Sequence, residues 1–223
     1  MPISPHRRDA IVLGIAVGVF GVAFGVLATT SGFSVAQAVA MSLLVFTGAS
    51  QFAAASVIGA GGSAAAALAS ALLLAARNGF YGISVAKLVP PDTPWWKRVA
   101  TAQLTIDEST ALGLAQQDPA KRYDAFLAGG LSVFVFWNLG TLLGAVGGDA
   151  IGDPAALGLD AAFPAGFIAL MMPALRHRSG LLAAVAGAGI ATALIPFTRP
   201  GIPVLAAALG AVLAFVTLGP LPE

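Results

Sequence analysis

Three ionisable side chains sit where the surrounding sequence offers them no water. Arg77 follows Leu72-Leu73-Leu74-Ala75-Ala76 and precedes Asn78-Gly79-Phe80-Tyr81, and Asp107 and Glu108 interrupt another apolar stretch. A guanidinium stays charged at every ordinary pH, and holding one at the centre of a bilayer costs roughly 2.5–3.5 kcal/mol on insertion scales. Such a residue needs an anion, water or a ligand. Counted back from Lys87 at about 1.5 Å per residue, Arg77 lies about 15 Å below the interface. Counted inward from Val99, Asp107 lies about 12 Å and Glu108 about 14 Å below that same interface. Matched depth and sequence proximity predict that Arg77 pairs with Asp107 or shares a water cavity with the two acids. Two readings stand: a static pair that joins helices, or a site that meets a solute or carries protons.

A second polar group is Phe46-Thr47-Gly48-Ala49-Ser50-Gln51-Phe52. Unwinding there would expose backbone amides and carbonyls near mid-membrane, where irregular backbone is tolerated only beside a cavity or inside protein. Those dipoles, with Ser50 and Gln51, suit the carboxylate or ammonium of a small zwitterion. The alternative is a continuous helix in which Ser50 bonds its own backbone and Gln51 joins two helices. Asn78, Asn138 and Thr141 are further intramembrane polar groups, as fit for interhelical bonding as for a ligand. Asp160 reads as a helix N-cap, Pro173 as a kink or terminus, and His177, between Arg176 and Arg178, as a solvated loop residue.

The elements that position these residues are membrane helices. Of 223 residues 58% are hydrophobic and 9% charged, against about 25% charged in soluble domains, and the mean hydropathy is +0.90. Apolar segments of spanning length cover 10–30, 35–60, 63–89, 99–116, 123–147, 159–175, 180–197 and 202–218, with 99–116 doubtful because of its two acids. The expected fold is therefore all-α: one polytopic transmembrane domain over 1–223, with seven to eight spanning helices and at least one of them interrupted. The short basic start, Met1 to Asp9, precedes a first spanning helix and not a removed signal peptide. The loop Pro90-Pro91-Asp92-Thr93-Pro94-Trp95-Trp96-Lys97-Arg98 has the tryptophans and cations of an interfacial anchor. Gly14, Gly18, Gly21 and Gly25, and again Gly140, Gly144 and Gly147 or Gly148, form stripes that let helix backbones approach closely.

Gly21-x-x-x-Gly25 before Phe46-Thr47-Gly48 resembles Gly140-x-x-x-Gly144 before Phe163-Pro164-Ala165-Gly166. The likeness suggests a two-fold internal repeat with halves 10–116 and 123–219, in the manner of transporters built on paired interrupted helices. Orientation is nearly balanced. With eight spans and the N-terminus inside, six basic residues fall inside and four outside; if 99–116 does not cross and the N-terminus is outside, the split is seven to three. The positive-inside bias favours the second by one residue.

The net charge of +1 and the absence of cysteine give no reason to expect nucleic acid and exclude thiol and thiolate-metal chemistry. No Gly-x-x-x-x-Gly-Lys-Ser/Thr loop is present for nucleotide binding. Gly48-Ala49-Ser50 offers a hydroxyl, but no histidine lies in any span to activate it, so no enzyme and no cofactor is expected. The residues alone fit a secondary transporter of small amphiphilic solutes, or a non-transporting scaffold or accessory subunit whose charges only pair helices.

From Gly21 to Pro173 the chain also resembles the AzlC family of branched-chain amino acid permeases. Met41-Ser42 through Phe46-Thr47-Gly48-Ala49-Ser50-Gln51-Phe52 looks like its opening motif, and Arg77-Asn78-Gly79-Phe80-Tyr81-Gly82 like its arginine-aromatic motif. Thr105-Ile106-Asp107-Glu108-Ser109 resembles its threonine-acid-acid motif, Trp137 through Gly140-Thr141-Leu142-Leu143-Gly144 its fifth-helix signature, and Gly158-Leu159-Asp160 through Phe163-Pro164-Ala165-Gly166 its sixth-helix block. The family usually has asparagine and histidine where this chain has Ala75 and Asn78, and Ile106 stands between the usual hydroxyl and acid. The resemblance implies export of branched-chain amino acids across the cytoplasmic membrane with a separately encoded small membrane subunit of AzlD type. A valine-like solute would then meet Arg77 through its carboxylate and Asp107 or Glu108 through its ammonium. Ser50, Gln51, Asn78 and Thr141 complete the expected substrate site, with Asp107 and Glu108 as proton-coupling or ion-pair residues.

Overall fold

Among residues 4–151, 168, 171–172 and 174–219, which the computed structural model describes, the helices are α1 (Pro5–Thr30), α2 (Val35–Val45), α3 (Ala49–Gly59), α4 (Ala64–Ala86), α5 (Trp95–Gln103), α6 (Asp107–Leu114), α7 (Pro119–Ile151), α8 (Arg178–Leu194) and α9 (Ile202–Leu218). Local chemistry sets several starts. Proline at the head of α1 pre-sets φ and needs no amide partner. Ser34 and Gln37 exchange side-chain and backbone bonds at the head of α2, and the Ser63 hydroxyl accepts the Ala66 amide at the head of α4. Among the described residues three helices are long and apolar enough to cross a membrane: α1, α4 and α7 over Pro119–Gly148.

The glycine stripes pack these long helices backbone to backbone. A methyl group on Gly14 would meet Ser132, on Gly18 the Phe136 carbonyl, on Gly21 the Trp137 carbonyl and on Gly25 the Thr141 carbonyl. From the other side, Gly140 faces Gly18 and Gly144 faces Val22. The paired numbers rise together, so α1 and α7 run parallel. At their shared start Arg7 Nη2 and His6 Nε2 hold the two oxygens of Asp124 at 2.7 and 2.6 Å.

Parallel α1 and α7 give the molecule two ends, a near end where both begin and a far end where both finish. α2 leaves the far end and runs against α7: Ser42 meets Thr141, and deeper in, Phe46 packs edge-on to Phe134 with ring centroids 4.9 Å apart. α3 then returns alongside α1, with Phe52 on Phe24 at 5.5 Å, until a Cβ on Gly59 would lie 2.6 Å from the Ser31 hydroxyl. The segment 35–60, expected as one interrupted span, therefore folds back on itself. α4 crosses from the far end to the near end. α5 enters from the near end, with Thr101 bonded to Tyr123 and Leu104 against Gly130. α6 goes back the same way, Gly113 against Phe126 and the Gln116 carbonyl on Arg122. The segment 99–116 folds back too, from the opposite end.

The turns of the two folded-back pairs reach the level of residues 130–137, the middle of α7. Each unit is a long helix followed by a helix-turn-helix, and the second runs opposite to the first. The pattern covers 5–59 and 64–114. Gly48 and Ile106, 58 positions apart, are equivalent helix caps whose amides bond the side chains of Gln51 and Ser109. The half 123–219 expected from the sequence includes residues outside those described, as do Asp160, Pro164, Pro173 and most of segment 159–175. α8 and α9 form an antiparallel pair, with a Cβ on Gly210 2.7 Å from the Ala183 carbonyl. The turn between them lies at the far end, where Gly62 and Gly201 bring it against α3 and α4.

This path sorts the cations. Arg7, Arg8, Lys87, Lys97, Arg98, Lys121, Arg122, Arg176 and Arg178 lie at the near end and Arg199 alone at the far end, with Arg77 between. The near balance counted from the sequence becomes nine against one once both pairs fold back.

Candidate functional site

Arg77 stands near the middle of α4, opposite the α5–α6 turn. Its Nη1 lies 2.7 Å from Asp107 Oδ2. The pair is not sealed: the Arg77 side chain is 34% exposed and that of Asp107 21%. The neighbouring Asn78 Nδ2 donates to the Thr105 carbonyl at 3.2 Å, so α4 grips the turn through two side chains. Inside the turn the Ser109 hydroxyl donates to the Leu104 carbonyl at 2.6 Å and accepts the Ile106 amide at 3.1 Å, which satisfies backbone groups that lipid would not. Asp107 and Glu108 occupy the first turn of α6, where the helix dipole favours negative charge. Tyr81 lies one turn along α4 from Arg77.

The α2–α3 turn carries no charge. Phe46 (φ 36) and Gly48 (φ 59) both take the left-handed region, which reverses the chain in three residues and for a phenylalanine is a strained conformation. The Thr47 and Ser50 hydroxyls bond each other. Gln51, wholly buried, accepts the Gly48 amide on its Oε1 at 3.1 Å. Thr141 accepts a bond from Ser42 at 3.1 Å, and Asn138 Nδ2 donates to its own helix at the Phe134 carbonyl. Trp137 walls the turn, stacked on Phe24 at 6.2 Å and edge-on to Phe52 at 6.1 Å. Gln51 Nε2, Asn78 Oδ1, Thr110 Oγ1, Trp137 Nε1 and Asn138 Oδ1 are buried without a hydrogen-bond partner among the described residues.

The two turns are linked. Gln103 Nε2, at the end of α5, donates to the carbonyls of Leu43 and Leu44 at 3.0 and 3.3 Å, the last turn of α2, where helical carbonyls lack partners. The expected residues thus form two groups at one depth: Arg77, Asn78, Asp107 and Glu108 on the α5–α6 turn, and Ser50, Gln51 and Thr141 on the α2–α3 turn. Sequence reasoning missed Gln103 and placed Tyr81 and Trp137 only within family motifs, not in the site. A glutamine in an apolar segment beside an acid pair was a visible signal for Gln103.

Long apolar helices around buried, polar helix starts are the architecture of a polytopic membrane protein. Residues 12–151 match the family model described as AzlC protein, and the chain belongs to the AzlC family. It is similar to Inner membrane protein YgaZ of Escherichia coli (strain K12), 25% identical over 203 residues that make up 86% of this chain and 81% of that protein. No solved structure matches the chain. It is a multi-pass protein of the inner membrane.

Proposed function

We propose that this protein is a secondary transporter that exports small hydrophobic amino acids, valine- or leucine-like, across the inner membrane. It works with a small membrane subunit of AzlD type. The observation that carries this reading is that two helix starts, one acidic and one neutral, reach one depth from opposite ends, their turns bridged by Gln103. Discontinuous helices of this kind present amide dipoles to anionic groups and carboxylates to cations, which is how membrane carriers hold a zwitterion. Asp107 or Glu108 carries the coupled proton. The test is retention of labelled valine in cells lacking the protein, with and without a co-expressed small partner. Faster efflux on restoring the pair supports the reading, and equal retention in all strains removes it. Asp107→Asn should flatten the dependence of efflux on the proton gradient; an unchanged dependence would take Asp107 out of the coupling role.

The short Arg77–Asp107 contact favours a second reading, in which the chain is a non-transporting scaffold and the charges only join α4 to α6. Arg77→Lys separates the two. If the pair only joins helices, the variant changes stability alone, whereas in the transport reading a loosened α5–α6 turn also lowers valine efflux at equal protein level.

A further inference from the structure

We infer that the α2–α3 turn is the carboxylate seat of the solute, built on Gln51, and that Arg77 is not. This rests on the transport reading above and assigns the two ends of the solute within it. Arg77 is already matched by Asp107 at 2.7 Å and held beside Asn78, which fixes the α5–α6 turn. The start of α3 is different. Its first amides point out of the helix with the positive end of the dipole, and no acid lies in its first turn. The Gln51 carboxamide is pinned there by its own oxygen on the Gly48 amide, which leaves Nε2 at the helix start, fully buried and without an acceptor among the described residues. The ring of Trp137 lies 3.7 Å from where a Cβ on Gly48 would stand, and its Nε1 is a second buried donor without a partner among the described residues. Surplus buried donors at a positive helix end call for an acceptor, and a buried donor left unmade is costly. The acidic start of α6 takes the ammonium, through Glu108, for which no ion pair is present among the described residues.

Trp137 makes the seat observable. With Trp95→Phe and Trp96→Phe, both exposed positions, Trp137 becomes the sole indole of the full-length protein. Its emission is followed against three probes: isovalerate, which has only the carboxylate; isoamylamine, which has only the ammonium; and valine. Isovalerate and valine should shift the emission saturably, and isoamylamine should not. Gln51→Glu keeps an oxygen for the Gly48 amide but replaces the donor with a charge, and should weaken isovalerate at least about tenfold, the loss expected for one bond to a charged group. Glu108→Gln should weaken valine and leave isovalerate unchanged. If Gln51→Glu does not fold, Gln51→Met removes the donor without adding charge and should give the same tenfold loss. An absent isovalerate response, or wild-type affinity in the Gln51 variant, overturns the seat even if valine export is intact. A saturable isovalerate response with no valine export leaves the seat standing and removes the transport reading.

Discussion

A guanidinium midway along α4 has one carboxylate at 2.7 Å and a third of its surface open. At the level of single residues that combination argues for a pair that holds the α5–α6 turn without sealing Asp107 away. Removing one partner of a fully buried pair costs roughly 3–5 kcal/mol; with the present exposure, Asp107→Ala should destabilise by less, seen as a lower melting temperature of the purified protein. Restoring charge balance with Arg77→Gln and Asp107→Asn together should recover most of that stability without recovering valine efflux. Full recovery of both would make the pair structural. This pairing was legible in the sequence, because two opposite charges in neighbouring apolar segments at equal depth have little else to meet. The bond from Gln103 to the end of α2 was not, since nothing in the sequence says that those carbonyls stop short of a helical partner.

At the scale of elements, the glycine stripes and the folded-back pairs differ in how openly the sequence declares them. Gly14, Gly18, Gly21 and Gly25 announce close packing, and the structure supplies the partner, α7, in parallel register. A side chain larger than hydrogen there strikes backbone and not a yielding side-chain tip. Gly25→Val, facing the Thr141 carbonyl and Ala145, should therefore exceed the 1–3 kcal/mol typical of an overpacked core and lower the yield of folded protein. Gly79→Ala, with nothing near its Cβ position, should be neutral or better, which a melting curve of each variant would check. The sequence signals an interruption at 46–52 and a doubtful span at 99–116, but not that the chain reverses between α2 and α3 and between α5 and α6. A largely apolar segment of twenty-six residues, 35–60, reads as a span whether or not three of them turn the chain round. The reversal lies in backbone angles at Phe46 and Gly48, and a phenylalanine at positive φ is the last residue from which to expect one.

For the whole molecule, the decisive quantity is which loops share a side of the membrane. Folding both pairs back collects nine cations at the near end, and positive-inside bias then assigns that end to the cytoplasm. It also brings an inverted pair of units, 5–59 and 64–114, around one depth, the geometry that lets a central site open to either side in turn. The chain contains no cysteine, so single cysteines can be placed without prior substitution at Thr30, Ala60, Asp92 and Gln117, each exposed beside a turn. Labelling of these four variants in intact cells with a membrane-impermeant thiol reagent tests the fold-back directly. Thr30→Cys and Ala60→Cys should both react from outside, and Asp92→Cys and Gln117→Cys only after the membrane is opened. Labelling of Thr30→Cys and Ala60→Cys from opposite sides would mean that residues 35–60 cross the bilayer, and the fold-back that brings two helix starts to one depth would be lost.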